Sequence, residues 1–387
     1  MKDAMVGGYR RARRGVAVAG MAAVLLGVAA GGALADGYGK AEKIAGNDYD
    51  YTYGASTYAV TYNDYVYQYE TGKDGNAYYN YYDGQSWSGW QGYDDQPVKY
   101  KYDSAPSVYK DYQYVYYTGE DGYVYYNYYD GSDWYGWQQL GTDYKYASAP
   151  YAYTSGDYQY VYATGEDGYV YYNYYDGTDW YGWKNVSGEV KAKYEPYAVT
   201  YGGYENVFWY GQDGKVYWNR YDGSKWTGVK ALPATYEFQY APYAVEYDGK
   251  LYAYSSTKDG YPAWTYFDGK KWADWKSYEG LDAKVKYQPN AYVYDGKQHV
   301  VYTADNYHAY YAEYDGSSWS DWQDLGANYN YDPYQYSYDD QYYLTYTGKD
   351  GYAYYKAYAA GGGGDDDSYG NSSDSGYEPT PTEDAGY

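Results

Sequence analysis

The sequence is poor in the side chains that most often carry out chemistry. Its 387 residues include no Cys and only two His. Without thiols there is no disulfide framework, no thiolate nucleophile and no Cys-ligated metal centre. Arg occurs at few positions, most of them close to the N-terminus: Arg10, Arg11, Arg13, Arg14 and Arg220. We therefore expect no cluster of arginines that recognises anions.

The charge balance excludes further classes of partner. Asp and Glu number 53 against 29 Lys and Arg, which gives a net charge of -24 at pH 7. Binding to nucleic acids or to anionic lipid depends on Lys and Arg that displace counterions. We therefore expect no nucleic-acid partner and no membrane insertion. The D-x-D-x-D-G spacing of a calcium loop is absent, and we expect no metal and no cofactor.

The N-terminus has the features of an export signal. Four Arg precede an apolar run at 16–30, and Ala33-Leu34-Ala35 forms an A-x-A cleavage site. We expect residues 1–35 to be a signal peptide, by the Sec or the twin-Arg route, and the protein to be secreted into the extracellular medium. Residues 361–387 are rich in Gly, Asp, Ser and Pro, which predicts a disordered acidic tail.

An aromatic repeat occupies the rest of the chain, which contains most of the 80 Tyr and 14 Trp. The pattern [YF]-D-G-x-x-W recurs every 46 or 47 residues, beginning at Tyr82, Tyr129, Tyr175, Tyr221, Phe267 and Tyr314. Each repeat is interpreted as four short strands with Asp-Gly hairpins, a pair that suits the positive φ of tight turns. Repeats of this length and composition are typical of propeller blades. The pattern predicts that residues 36–360 form an all-β, seven-bladed β-propeller of four-stranded antiparallel blades.

The ends of the chain must share one blade. There are seven copies of the first three strands but six of the W-x-x-W strand. We predict that the segment Gly39–Gly46 joins the last blade and closes the ring, with Lys40 and Lys43 at the places of the two Trp. Closure removes the free sheet edges. In the sixth repeat we expect Asp305-Asn306 to replace the first Asp-Gly hairpin.

The repeat resembles that of a known group of lectins. The stretch TGEDGYVYYNYYDGTDWYGW, from Thr164 to Trp183, together with the upstream Ser148-Ala-Pro150, is similar to the repeat of seven-bladed propeller lectins of the Photorhabdus fucose-binding type. The resemblance covers about residues 48–358. It implies the same fold and the binding of sugars. Most Trp, His and Arg of that repeat are Tyr here.

The leading functional hypothesis is a secreted, multivalent carbohydrate-binding protein, because aromatic rings stack on sugar faces while Asn, Asp and Tyr bond to sugar hydroxyls. The predicted stacking rings are the first Trp of each pair: Trp87, Trp134, Trp180, Trp226, Trp272 and Trp319. A third-strand position offers amides: Asn80, Asn127, Asn173 and Asn219. Inter-blade packing of the Trp and a solvated strand position for the Asn remain the alternatives. Strand alternation predicts that the two Trp of a pair face different blades unless a bulge intervenes.

Two other functions are weighed against the lectin. The excess of Tyr fits an extracellular structural or adhesive matrix protein that crosslinks through phenols and binds no specific sugar. Glycosidase chemistry needs two carboxylates, which an acidic chain offers. Because turn geometry accounts for the repeated Asp, and Arg and His are scarce, we expect no enzyme. The sequence makes no prediction about the oligomeric state.

Overall fold

The structure, a computed structural model, describes residues 37–38, 40–44, 56–278 and 283–359. One compact unit spans residues 36–361, and every regular element described in it is a β-strand. Among the described residues there is no helix long and apolar enough to cross a membrane. The expected signal peptide and acidic tail lie outside the described residues and stay predictions.

Seven antiparallel sheets follow one another along the chain as the blades of a propeller. Two short strands come first, β1 (Gly37–Tyr38) and β2 (Glu42–Lys43), and belong to the last blade. Blades one to three comprise β3 (Tyr58–Tyr62), β4 (Tyr65–Thr71), β5 (Ala77–Tyr82) and β6 (Gln91–Gly92); β7 (Ala105–Tyr109), β8 (Tyr112–Thr118), β9 (Val124–Tyr129) and β10 (Gln138–Gln139); and β11 (Tyr151–Ser155), β12 (Tyr158–Thr164), β13 (Val170–Tyr175) and β14 (Lys184–Asn185).

The remaining blades repeat this order. They comprise β15 (Tyr197–Tyr201), β16 (Tyr204–Tyr210), β17 (Val216–Arg220) and β18 (Lys230–Ala231); β19 (Tyr243–Tyr247), β20 (Lys250–Ser256), β21 (Pro262–Phe267) and β22 (Lys276–Ser277); β23 (Asn290–Tyr294), β24 (Lys297–Thr303), β25 (His308–Tyr314) and β26 (Gln323–Ala327); and β27 (Tyr334–Tyr338), β28 (Gln341–Thr347) and β29 (Ala353–Ala359). Neighbouring first strands contact one another around a ring that runs from β3 and β7 to β27 and β3. The predicted all-β, seven-bladed propeller is confirmed.

The N-terminal strands close the ring. Both β1 and β2 pair antiparallel with β29, the third strand of blade seven. Tyr38 lies opposite Tyr358, just as Trp87 is bridged to Tyr82 in blade one. The N-terminal segment therefore supplies the fourth strand that the last repeat lacks, as predicted.

The register of this closing strand differs from the prediction. Pairing begins at Gly37, two residues earlier than expected, so Tyr38 takes the place of the first Trp and Ala41 that of the second. The prediction that Lys40 and Lys43 take these places was wrong. A segment without a W-x-x-W motif gives no landmark for its register, and a small shift moves every side chain. A seventh aromatic ring thus completes the set of six Trp.

Asp-Gly hairpins join the second and third strands. In blade one the Asp74 carboxylate accepts the N–H of Asn76 (2.9 Å) and the hydroxyl of Tyr78 (2.7 Å), and Gly75 has a φ of +76°. The Tyr-to-Asp bond recurs in four other blades, in the pairs Tyr125–Asp121, Tyr171–Asp167, Tyr217–Asp213 and Tyr354–Asp350. One use of Tyr is therefore to brace a hairpin.

Blade six has a different hairpin. Its residue with positive φ is Tyr307, at +65°, and the Asn306 side chain accepts the N–H of His308 at 3.0 Å. The turn therefore lies at Asn306-Tyr307, and the prediction of Asp305-Asn306 was wrong by one residue. The Asn side chain replaces the carboxylate as the acceptor that braces the turn.

Tyrosine hydroxyls also join neighbouring blades. In six blades the Tyr that ends the first strand donates a hydrogen bond to the next blade. The acceptor is a backbone carbonyl in the hairpin between the first and second strands of that blade. These bonds run from Tyr62 to Asp111 (2.6 Å), Tyr109 to Asp157 (2.6 Å), Tyr201 to Gly249 (2.9 Å), Tyr247 to Gly296 (2.8 Å), Tyr294 to Asp340 (2.5 Å) and Tyr338 to Asp64 (2.7 Å). The last one crosses from blade seven to blade one.

Another set of buried hydroxyls has no such bond. Tyr100, Tyr146 and Tyr329 hold equivalent bridge positions in the connections between blades and are 2%, 3% and 0% exposed. Their hydroxyls have no hydrogen-bond partner among the described groups. Phe238 holds the same position between blades four and five. The hydroxyl is therefore dispensable at this place in the repeat.

The two sets of tyrosines predict opposite responses to loss of the hydroxyl. Tyr62→Phe is expected to lower the free energy of unfolding by about 1 kcal/mol, because the Asp111 carbonyl loses its donor. Tyr146→Phe is the matched control and is expected to cause no loss, or a gain of up to about 1 kcal/mol. Urea unfolding measures both. Equal losses in the two variants would contradict the role of the Tyr62 hydroxyl.

Candidate functional site

The six predicted stacking tryptophans lie at the seams between blades. Each is bridged to the aromatic residue of its own Y-D-G or F-D-G motif and is half-buried. Each ring packs against an aromatic ring on the third strand of the preceding blade. Centroid separations are 5.9 Å for Trp87–Tyr355, 5.4 Å for Trp134–Tyr79, 5.8 Å for Trp180–Tyr126, 5.3 Å for Trp226–Tyr172, 5.6 Å for Trp272–Trp218 and 6.0 Å for Trp319–Trp264.

The two Trp of a pair face the same neighbouring blade. Trp134 and Trp137 both contact Tyr93 of blade one, with ring centroids 4.9 and 5.1 Å away. Gly136 between them has a φ of +86°, which breaks the two-residue alternation of a strand. The pair therefore does not face different blades as regular strand alternation predicts, because the alternation is interrupted between the two Trp. Both rings build one seam, and the first Trp lies nearer its open edge.

A cavity of about 310 Å³ opens at the seam between blades one and two. Its lining includes Tyr67, Tyr79, Tyr81, Gln91, Ser132 and Trp134. The Tyr79 hydroxyl donates to Gln91 Oε1 at 3.0 Å. The Trp134 indole thus borders a cleft that also offers phenol, amide and hydroxyl groups. This mixture suits a small ligand that has both an apolar face and several hydroxyls.

The equivalent positions at the other seams, called clefts below by analogy with this one, keep its register but differ in their residues. Tyr67 lies opposite Tyr81 on β4 and β5. In the following blades the same cross-strand pair is Tyr114–Tyr128, Tyr160–Tyr174, Asn206–Arg220, Tyr252–Tyr266, His299–Glu313 and Tyr343–Ala357. Four clefts therefore share a Tyr pair, and those that begin with blades four, six and seven depart from it.

The cleft between blades six and seven contains a buried polar network. Glu313 accepts the Tyr311 hydroxyl and Lys297 Nζ, each at 2.7 Å, and His299 Nδ1 lies 2.5 Å from the Tyr311 hydroxyl. Burial lowers the pKa of His299. Burial opposes ionisation of Glu313, but its hydrogen bonds prevail and hold the pKa of that carboxyl below its usual value. Tyr38 of the closing strand packs 5.0 Å from Tyr311.

The four predicted asparagines lie inside the blades. They are 0% to 3% exposed: Asn80, Asn127, Asn173 and Asn219. Asn80 Oδ1 accepts the Ser88 hydroxyl at 3.0 Å, and Asn219 Nδ2 donates to the Val186 carbonyl at 2.9 Å. These bonds position neighbouring segments of the chain. The sugar contacts expected of the four amides stay a prediction.

A second cavity, of about 220 Å³, lies where the first strands of the blades begin, and we call it the central cavity. Its lining includes the first residue of all seven of these strands: Tyr58, Ala105, Tyr151, Tyr197, Tyr243, Asn290 and Tyr334. Asp103, Glu195 and Asp332 each stand two residues ahead of such a strand and also line it. Burial raises the pKa of Asp103 to about 7 and raises the pKa of Asp332. Glu195 faces the cavity, and the loss of water around its carboxyl raises its pKa too.

Within the part of the chain that the structure describes, no three His, Asp or Glu side chains are arranged to hold an ion.

Comparison with known proteins shows the fold but not the ligand. No family model matches the chain, and no curated protein matches it. Among solved structures, BBS1N in complex with ARL6DN matches with a TM-score of 0.56 and 10% identity, over 84% of this chain and 97% of that one. At this identity the likeness shows the propeller fold alone.

Two lectins are also among the similar structures. The fucose-specific lectin from Aleuria aurantia has a TM-score of 0.46 and 17% identity, over 70% of this chain and 94% of that one. SapL1 lectin in complex with alpha methyl fucoside has a TM-score of 0.47 and 17% identity, over 72% of this chain and 97% of that one. Both scores lie below 0.5, so these likenesses do not bear on the ligand. The relation to the Photorhabdus type stays a prediction.

Two residues of the clefts escaped the sequence analysis. Tyr38 precedes the segment that was expected to close the ring. Arg220 was not predicted to belong to a cleft. Its place in the repeat was a usable signal, because Arg220 follows Asp213 by seven residues just as Tyr81 follows Asp74.

The raised pKa of Asp103 predicts a pH-dependent stability. In the unfolded chain this carboxyl ionises above about pH 4, but in the central cavity it ionises only near pH 7. Its ionisation therefore opposes folding increasingly from pH 4 to 7 and fully above pH 7. Asp103→Asn is expected to stabilise the protein by up to about 4 kcal/mol at pH 8, since each pKa unit corresponds to about 1.4 kcal/mol, and to have little effect at pH 4.

Urea unfolding at both pH values measures this difference. Asp94→Asn, a change at an exposed carboxylate, is the matched control and is expected to show no such dependence. A gain for Asp103→Asn that is equal at pH 4 and pH 8 would contradict the argument.

Proposed function

We propose that this protein is a secreted, multivalent carbohydrate-binding protein whose sites are the clefts between its blades. The cavity beside Trp134 carries this proposal. Sugar rings stack their C–H faces on aromatic rings, while their hydroxyls bond to amides, phenols and hydroxyls. The Trp134 indole offers the first kind of contact, and the side chains of Gln91, Ser132 and Tyr81 offer the second.

Repetition supports multivalency. A Trp borders six seams and Tyr38 borders the seventh, all at one register. The indole N–H of four of these Trp has no acceptor among the described groups: Trp87, Trp226, Trp272 and Trp319. An unpaired buried donor is unfavourable, so a ligand oxygen that reaches it would be favoured. Several weak sites on one ring would bind clustered glycans strongly.

The proposal also includes secretion and the lack of catalytic activity. The A-x-A triplet after an apolar segment supports delivery to the extracellular medium. We propose binding without catalysis, because the most organised carboxylate of a cleft, Glu313, is held by Lys297 and Tyr311 rather than poised toward a ligand.

The proposal predicts that Trp134 contributes one binding site. Screening the protein on a glycan array identifies a ligand, and calorimetry with that glycan then gives the number of sites per chain. Trp134→Leu keeps an apolar side chain but removes the flat ring, so it is expected to reduce the number of sites by one. The loss of one stacking contact weakens binding there about tenfold or more.

Trp137→Leu is the matched control. Trp137 is three residues away and packs on the same Tyr93, but it does not line the cavity. It is expected to keep the full number of sites. Absence of binding to every glycan on the array would refute the lectin, and equal loss in both variants would show that Trp134 acts through packing.

Exposed phenols favour a second candidate, a Tyr-rich matrix or adhesive protein. Tyr135 and Tyr181 are 52% and 48% exposed and stack on Tyr128 and Tyr174, with centroids 4.6 and 4.4 Å apart. A hydrogen bond to a neighbouring Asp raises the pKa of Tyr135 to about 12 and that of Tyr181 likewise to about 12. Both phenols are therefore neutral and accessible to an oxidant at neutral pH.

The matrix candidate predicts crosslinking at these sites. With peroxidase and hydrogen peroxide, two phenols each lose one hydrogen and join, and peroxide is reduced to water. The double variant Tyr135→Phe/Tyr181→Phe is expected to lose at least half of the dityrosine fluorescence. The control Tyr162→Phe removes a fully buried phenol and is expected to lose none. Strong glycan binding without crosslinking would reject this candidate.

A further inference from the structure

The cleft between blades four and five has a different charge from the first cleft. We identify the equivalent residues of the two clefts by three criteria. These are the cross-strand partner, the Trp bridged to the Y-D-G or F-D-G motif, and the residue that follows the D-G turn. In the order Tyr67, Tyr79, Tyr81, Gln91, Ser132 and Trp134 of the first cleft, they are Asn206, Trp218, Arg220, Lys230, Lys270 and Trp272. The stacking Trp is kept, whereas three neutral positions become cationic.

Arg220 is held by aromatic rings rather than by a carboxylate. Its guanidinium carbon lies 5.6 Å from the Tyr201 ring, 5.1 Å from the Tyr204 ring and 5.9 Å from the Phe267 ring. Among the described residues it forms no ion pair, and its Nε has no hydrogen-bond partner. The rings fix its orientation but accept none of its strong hydrogen bonds.

A second cation lies on the same face of the sheet. Lys230 is exposed and stands opposite Trp218, so Arg220 is its diagonal cross-strand neighbour, about 7 to 8 Å away by sheet geometry. In the two adjacent clefts the equivalent lysines lie over rings: Lys184 is 4.9 Å from Tyr174, and Lys276 is 4.8 Å from Trp264. Two like charges on one face repel, and an anion between them relieves that repulsion.

The acidic groups around the cleft are engaged elsewhere. Asp222 and Asp268 accept backbone N–H groups in their own turns, at 2.9 and 2.8 Å. Glu246 accepts the N–H of Gly202 at 3.2 Å and lies beyond ion-pair distance of Arg220. No carboxylate among the described residues therefore neutralises Arg220.

We propose that the cleft between blades four and five binds a sugar residue that carries a carboxylate, as a uronic acid does. The sugar ring would stack on Trp272, and the planar guanidinium of Arg220 would meet the carboxylate. This inference rests on the proposed function and specifies the ligand class of one of its clefts. It does not require the cluster of arginines whose absence the sequence shows, because one guanidinium is enough for one carboxylate.

The acidity of the whole chain does not prevent this binding. At an ionic strength of 0.1 M the Debye length is about 10 Å, so distant surface charges are largely screened while a contact inside the cleft is not. A distant cleft provides a contrast. In the cleft between blades seven and one the position of Lys230 is held by Glu42, which accepts the Tyr355 hydroxyl at 2.6 Å. Charge selectivity is thus local to each seam.

The test compares two forms of one oligosaccharide by calorimetry on the full protein. The acidic probe is trigalacturonic acid, and the neutral probe is its methyl ester, which keeps the rings. The parent protein is expected to bind the acid at least tenfold more tightly than the ester. Arg220→Gln is expected to weaken acid binding about tenfold or more, and Arg220→Lys, which keeps the charge but loses the fork, about threefold to tenfold.

Lys184→Gln removes the lysine of the preceding cleft and is the matched control, expected to leave acid binding unchanged. Thermal unfolding and binding of array-identified neutral glycans check that the Arg220 variants are folded. Unchanged acid binding in Arg220→Gln would overturn the inference. Sulfated dextran that competes with the acidic probe equally well in the parent and in Arg220→Gln would also overturn it. If the protein binds neutral glycans but not the acid, the inference is overturned and the proposed function stands. If it binds no glycan at all, the proposed function is refuted as well.

Discussion

A phenolic hydroxyl that leaves water must keep a hydrogen-bond partner, and this constraint organises the ring. Aliphatic cores hold blades together by burial alone, but a core of Tyr also has to place its hydroxyls. The chain does so by aiming the Tyr at the end of a first strand at a carbonyl of the next blade, as Tyr62 does with Asp111. Each such side chain therefore adds apolar area to one blade and a directional bond to its neighbour, and the bond from Tyr338 to Asp64 extends the same device across the closure.

The constraint is not met everywhere, and the exceptions show what the fold tolerates. Tyr146 and Tyr329 bury hydroxyls without a partner, although Phe238 shows that the repeat accepts a ring without one. The central cavity is a similar case, because Asp103 and Asp332 remain among Tyr rings with raised pKa values. Both features lower stability at neutral pH, and a large closed ring with many inter-blade bonds can sustain such local losses.

Much of the fold could be predicted because the information is local and repeated. The Asp-Gly turns and the W-x-x-W spacing occur within each repeat, and the missing seventh copy implied closure. The register of Tyr38 could not be predicted, because no motif marks that strand. The common orientation of Trp134 and Trp137 depends on the left-handed backbone at Gly136, which a strand pattern does not reveal. The seam positions of the first Trp were predictable from the repeat, whereas their role in sugar binding stays a prediction.

Strand alternation explains how one scaffold can carry clefts that differ from one another. On each second strand, successive side chains face opposite neighbouring blades. Tyr254 and Gln298, on adjacent blades, face each other across one seam and form a 2.6 Å bond. Residues nearer the open edge, such as the half-buried Arg220, lie on such a seam but outside this packed layer. Substitution there changes the charge of one cleft while the bonds that join the blades persist. The ring therefore separates residues that hold it together from residues that set the chemistry of each cleft, within the same short strands.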